Sequence, residues 1–328
     1  MCVYNEDTNY IRESVESILN QTYNNFEFII VCDNPADVRV LSIIDYYRKK
    51  DHRIVCLINE ENVGLTRSLN VGLRQCHGEY VARMDADDIS YPNRLELQLK
   101  YLNKNPQLVA CGSYIELINE NGNLIGKRKM PVKQNEIDVI SVFDTPLCHP
   151  TVMFRRVVKG ISLRYDEDFV VSQDFALWST FEKGTISNVK CFLLKYRISN
   201  DQISNKRVGE QMHYKRLIQY SNLNKNGIVL DVKEKRVFDY LFSHGYYKPT
   251  EMEIKALLVK LYKLLSIVKD AKYLGYYIIN CYITNAVLLE KDYCSKIRKL
   301  FGFSRDIKYL NAKSILFLLY KELCFGKS

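Results

Sequence analysis

The sequence predicts an α/β protein: a mostly parallel sheet with helices on both faces, followed by a helical C-terminal region. Two observations carry this. From residue 1 to about residue 85, short apolar runs alternate with amphipathic stretches, the rhythm of βαβ units and a parallel sheet. Beyond about residue 205 the pattern turns to helical periodicity rich in Tyr and Lys. A division at 1–204 and 205–328 follows.

The elements read in order. Tyr10–Asn20 puts Ile11, Val15, Ile18 and Leu19 on one helical face. Phe26–Val31 is an apolar strand running into Cys32-Asp33-Asn34-Pro35. Val38–Lys50 reads as a helix, Ile54–Asn59 as a strand, Leu65–Arg74 as a helix and Tyr80–Met84 as a strand. Pro92–Asn103 is a helix with Pro in its first turn. Val109–Ile118 and Leu124–Lys127 flank Asn121-Gly122, a hairpin signal. Parallel sheets bind ligands at the carboxyl ends of their strands, and Asp33 and Asp85 both stand at such ends.

Composition narrows the class. With 328 residues and 47% hydrophobic side chains, the chain can bury a full core. No run of ~18 apolar residues is present; Leu274–Leu289 comes nearest and is broken by Asn280 and Asn285. Ten cysteines include no Cys-x-x-Cys pair, and no secretory signal precedes them, so they read as reduced thiols in a cytoplasmic protein. Residues 201–328 hold 23 basic and 12 acidic side chains, within a chain of net charge +9. That charge is spread rather than clustered and no nucleic-acid motif accompanies it, so no nucleic-acid partner is expected.

The sharpest local signal is Arg83-Met84-Asp85-Ala86-Asp87-Asp88. Three carboxylates in four residues repel one another at the end of a buried strand, and a cation relieves them. Oxygen ligands suit Mn²⁺ or Mg²⁺, which can neutralise a diphosphate leaving group. A solvated acidic turn is the plain alternative.

Several segments then occur in a familiar order: Val3-Tyr4-Asn5-Glu6, Ser14 through Tyr23, Phe26-Glu27-Phe28-Ile29-Ile30-Val31, Asn62-Val63-Gly64-Leu65, Gly78-Glu79-Tyr80 and the acidic cluster. Together, over residues 1 to about 200, they resemble glycosyltransferase family 2, with the Rossmann-like GT-A fold. The resemblance implies an inverting enzyme of the hexosyltransferase type, a nucleoside-diphosphate sugar donor (UDP above all) and a divalent metal. It implies donor contacts at Tyr4, Glu6, Asp33, Asn62 and Asp85, with Tyr4 and Asp33 at the base; members often carry Arg at the position of Leu69, and here Arg67, two residues earlier, either covers the diphosphate as a donor contact or is a surface Arg. Asp87 matches the main metal ligand, with Asp85 beside it. Cys148-His149-Pro150-Thr151 resembles a second motif, in which His149 touches the metal or the phosphates. Ser172-Gln173-Asp174-Phe175 resembles a third, in which Asp174 is the general base. Cys32, Leu69 and Gln173 depart from the family's usual residues, which keeps a nucleotide-sugar-binding homologue without turnover as the alternative. Members carry a full strand before Val-Tyr-Asn, so Met1 is expected to be internal to a longer natural protein.

The acceptor implied is a hydroxyl of a surface polysaccharide or lipid-linked glycan precursor. In Glu253–Val268, Ile254, Leu257, Leu258, Leu261, Leu264 and Leu265 follow helical spacing with Lys255, Lys260 and Lys263 interleaved; Ile315–Phe325 is a second apolar stretch. Such helices either pack on the catalytic domain or lie peripherally on the cytoplasmic face of the inner membrane.

Overall fold

The computed structural model describes residues 1–199, 207–242, 247, 249–261, 264 and 277. The chain forms two compact units. The first takes Met1–Ile137 and Asp144–Tyr214; the second takes Asp138–Phe143 and the described residues from Lys215 on.

The first unit opens as the βα rhythm requires. Strands β1 (Cys2–Val3), β2 (Phe28–Cys32) and β3 (Ile54–Ile58) are joined through helices α1 (Thr8–Leu19) and α2 (Val38–Lys50), and all pair in parallel. Helix α3 (Leu65–Gln75) follows, then β4 (Tyr80–Ala82). Asp7 caps α1 by accepting from the Asn9 N–H at 2.7 Å, and Asp37 caps α2 in the same way, which fixes where each crossover turns back. Ile11, Val15 and Ile18 of α1, the β2 side chains Phe28, Ile30 and Cys32, and Val40, Ile43 and Ile44 of α2 form one core cluster.

The mostly parallel sheet does not continue. The larger sheet runs β4, β8 (Met153–Arg155), β6 (Ala110–Ile118), β11 (Ile186–Arg197), β5 (Ile89–Ser90), with β7 (Leu124–Arg128) on the side of β6. Only β6 and β11 pair in parallel there; β4–β8, β6–β8, β6–β7 and β5–β11 are antiparallel, as is the small ribbon of β9 (Val157–Val158) and β10 (Ile161–Ser162). The sheet structure is therefore mixed and mostly antiparallel. Tight turns such as Asn121-Gly122 reverse β6 into β7 and β9 into β10. The other antiparallel pairs, β4–β8, β6–β8 and β5–β11, join strands distant in the chain, whose direction local periodicity does not carry. Gly122 takes φ +78°, the left-handed region the turn needs.

Helix α4 (Arg94–Lys104) precedes β6, α5 (Gln134–Phe143) follows β7, and α6 (Gln173–Trp178) precedes β11. A single parallel bridge, Cys2 to Asp85, joins the two sheets. The Met1 ammonium donates to the Ile29 carbonyl at 2.9 Å, and burial pushes its pKa down. A cavity of about 700 Å³ beside it is lined by residues of β2, α3 and β4.

The second unit is helical where described: α7 (Val208–Lys225) enters it from Lys215, and α8 (Val232–Phe242) and α9 (Glu251–Leu261) follow. Phe143, Phe238 and Phe242 stack there, with Phe143 and Phe242 centroids 5.0 Å apart. Val259 and Met252 on α9 are exposed, while Ile254, Leu257, Leu261 and Leu264 are buried. Residues 262, 263 and 265–268 of the stretch Glu253–Val268, nearly all of Leu274–Leu289 and the whole of Ile315–Phe325 lie outside the described residues. Among the described residues no helix is long and apolar enough to cross a membrane.

Candidate active site

The acidic loop joins β4 to β5. One carboxylate oxygen from each of Asp85, Asp87 and Asp88 falls within 4.8 Å of the others. Their surroundings differ. Asp85 pairs with the buried Arg83 guanidinium, whose own charge burial leaves in need of that partner. Asp88 is fully buried; its Oδ1 accepts the Arg197 N–H at 2.9 Å, and its Oδ2 has no partner. Burial first, then the Asp87 and Asp85 charges, push the Asp88 pKa well up. Asp87 is pushed up to about 7, by burial first and then by Asp85 and Glu6. Crowded, oxygen-only, under-donated carboxylates suit a hard divalent cation, and the orphaned Asp88 oxygen shows that protein donors alone do not satisfy the loop.

Asp33, at the end of β2, has the opposite environment. Its Oδ1 accepts from Asn59 Nδ2 at 2.7 Å and from the Val63 N–H at 3.0 Å, and its Oδ2 from the Gly64 N–H at 2.9 Å. Asn59 also donates to Ser68 Oγ on α3. Gly64, at φ +85°, turns the chain into α3 so that its N–H faces Asp33; a side chain there would be strained. Asn62 serves this turn, its Oδ1 accepting from the Gly64 N–H at 3.0 Å. Glu6 accepts from the Tyr4 N–H at 2.8 Å, and burial raises its pKa. Tyr4 is 41% exposed just beyond β1. Arg67, in the first turn of α3, lies 3.5 Å from Glu167 and is largely exposed.

The third group stands around α6. Ser172, at φ +58°, turns the chain so that Asp174 falls in the first helical turn. Burial raises the Asp174 pKa, against a hydrogen bond from the Phe175 N–H and the charge of Arg83. His149 Nε2 lies 2.8 Å from the Tyr165 hydroxyl, and burial drives its pKa well below the ordinary value, so the ring is neutral. The ring sits edge-on to Trp178, which is buried with Phe154 and Phe181. Trp178 is thus a core anchor.

The sequence profile described as Glycosyl transferase family 2 matches residues 1–159. An uncharacterised glycosyltransferase of Methanocaldococcus jannaschii is 38% identical over 219 residues, which cover 65% of this chain and 74% of that protein. The chain belongs to glycosyltransferase family 2. Its relatives include the O-antigen biosynthesis glycosyltransferase WbnJ of Escherichia coli, 37% identical over 61% of this chain and 78% of that one. Among solved structures, S. aureus TarS 1–349 matches with a TM-score of 0.54 at 19% identity, over 90% of each chain. The same protein in complex with UDP-GlcNAc gives 0.52 at 16%, over 97% of this chain and 91% of that one. These likenesses are ones of fold, the GT-A-like fold of inverting enzymes.

Within that family fold the residues singled out in the sequence fall into distinct groups. Asp85, Asp87 and Asp88 come together; His149 is outside their group, with its Nε2 taken by Tyr165. Asp33 meets the Asn62–Gly64 turn, and Arg67 meets Glu167. Sequence reading missed Asn59, Ser68, Tyr165 and Arg197, and gave Arg83 no role. Arg83 alone had a local signal, two residues before Asp85 in the quoted motif.

Proposed function

We propose that this glycosyltransferase is metal-dependent and transfers a hexosyl group, with inversion, from a UDP-sugar to a hydroxyl of a surface-polysaccharide or lipid-linked glycan precursor. The observation that carries it is the acidic loop: three carboxylates within 4.8 Å, one with a buried oxygen lacking any donor. Asp87 and Asp85 would hold Mn²⁺ or Mg²⁺, which when bound neutralises charge on the departing diphosphate. His149, a neutral ring, would face the donor phosphates from the second motif. Asp33 and Tyr4 would receive the base, Glu6 and Asn62 would line the same end of the sheet, and Arg67 would leave Glu167 to cover the diphosphate. Asp174 would take the acceptor's proton as its oxygen attacks the anomeric carbon and the bond to the diphosphate breaks. A pKa raised by burial suits a base that must accept a proton in the transition state. The O-antigen role in WbnJ's name supports the acceptor class, and the UDP-GlcNAc complex of the fold neighbour supports the nucleotide. The site of work would be the cytoplasmic face of the inner membrane, with the basic C-terminal region in peripheral contact.

The test is a screen of nucleoside-diphosphate sugars by thermal shift with Mn²⁺ present, followed by transfer and donor-hydrolysis assays. Bound donor raises the midpoint by mass action. One donor should stabilise the chain only with metal and should turn over; stabilisation without turnover would instead favour the binding homologue, and no response to any donor would overturn the reading.

A further inference from the structure

We propose that Arg197 is the positioning residue of the acidic loop, tying the Asp87 main chain to helix α1 and to the β6–β7 turn. This rests on the loop being the metal site. The pairing of β11 with β5, Leu194 opposite Ser90 and Lys195 opposite Ile89, carries Arg197 alongside the loop just as the ladder stops. Its N–H then donates to Asp88 Oδ1 rather than to a strand. Its side chain is 1% exposed, and among the described residues its donors reach three different segments. Nε donates to the Asp87 carbonyl at 2.8 Å. Nη1 donates to the carbonyls of Glu120 at 3.0 Å and Asn119 at 3.3 Å. Nη2 meets Glu13 on α1 at 2.5 Å, and the guanidinium lies 4.1 Å from the Tyr10 ring centroid.

No other contact described for this side chain does what the Nε bond does. It fixes the Asp87 peptide without touching the Asp87 carboxylate. The bond leaves the carboxylate oxygens to a ligand while holding the backbone that carries them. A planar fork with five donors suits the task, because one group can span a loop, a turn and a helix at once; an ammonium cannot. A loop already ordered when the cation arrives loses less chain freedom on binding, so affinity rises without any new ligand atom. Outer-shell partners of metal ligands commonly carry a ~10–100-fold share of metal affinity in this way.

The experiment compares the full chain with Arg197→Met, Arg197→Lys, Glu13→Gln and Arg53→Met. Two quantities are read: Mn²⁺ affinity from the free-ion EPR signal, and amide hydrogen exchange of segment 84–90 in chelator. Arg197→Met keeps the stem and the N–H to Asp88 but loses the fork. It should weaken Mn²⁺ binding ~10–100-fold and speed exchange in the segment, with Arg197→Lys between it and the native chain. Arg53 holds Asp51 and the Leu19 carbonyl, so Arg53→Met tests loss of a structural arginine elsewhere and should leave both readings unchanged. An Arg197→Met chain with native affinity and native exchange overturns the proposal. If that variant does not fold, Glu13→Gln decides: faster exchange of 84–90 supports the tie, and unchanged exchange overturns it. A native chain that binds no Mn²⁺ would defeat the metal reading of the loop, while the exchange comparison still judges Arg197.

Discussion

Asp33 and the Asp85–Asp88 loop are both acidic ends of strands, yet the protein treats them in opposite ways. Asp33 receives three donors from its own chain, two of them backbone N–H groups of the Val63-Gly64 turn. The acidic loop offers three carboxylates and leaves a buried Asp88 oxygen with none, while Arg83 forms its ion pair with Asp85. A carboxylate saturated by protein donors holds a loop in shape. Carboxylates that crowd one another and lack donors are set for an ion from outside. Counting acids in a sequence does not separate these cases; counting their donors does.

The largest expected effect comes from a third carboxylate. Asp174→Asn fills the same space and cannot take a proton, so turnover should fall ~10²–10⁴-fold. Donor affinity, measured by calorimetry, should stay within about twofold; weakened donor binding with a spared rate would move the base elsewhere. Next comes Asp87→Asn. It should lower the rate ~10²–10³-fold, the scale for losing charge stabilisation of a leaving group, and full turnover in a steady-state assay would exclude Asp87 as the ligand. Asp33→Ala sharpens the contrast from the other side. It strips the acceptor from Asn59 Nδ2 and two N–H groups, so the chain should lose about 1–3 kcal/mol in denaturant unfolding, with metal affinity in the absence of nucleotide unchanged. The same loss of metal affinity as in Asp87→Asn would erase the distinction.

A further effect is in pH. Folding lifts the Asp87 pKa from its ordinary 3.8 to about 7. The folded chain therefore keeps a proton there that the unfolded chain has released, and metal-free stability drains away as pH rises from about 4 to 7. In chelator, the midpoint of the native chain relative to Asp87→Asn should fall steadily as pH rises from about 5 to 7 and then level off. Mn²⁺ must displace that proton, so affinity should rise with pH up to about 7 and then flatten. A native-minus-variant difference independent of pH would contradict the crowding.

What could be read from the sequence was what neighbours in the chain decide. Val38–Lys50 is a helix over the expected residues, because its apolar spacing and its Asp37 cap are local. The hairpin at Asn121-Gly122 forms because glycine alone relaxes there. The acidic loop was legible because its three carboxylates fall within four residues. Strand direction beyond residue 88 was not: β4 pairs with β8 and β5 with β11, partners about seventy and a hundred residues away, and periodicity carries no sign of parallel or antiparallel. Arg197 escaped for the same reason, standing 110 residues from the Asp87 carbonyl it binds. The Tyr165 hydroxyl beside His149 comes from a separate segment that only the fold brings near.

In the proposed function the Asp85–Asp88 loop, and not the donor-saturated Asp33 end of the sheet, would hold the divalent cation that neutralises the donor diphosphate. Calorimetric titration of UDP into the chain, with and without Mn²⁺, tests it directly when run on the native protein and on Asp87→Asn. Mn²⁺ should strengthen UDP binding to the native chain, and Asp87→Asn should abolish this gain while keeping the weaker metal-free binding. An equal gain from Mn²⁺ in both proteins would contradict it.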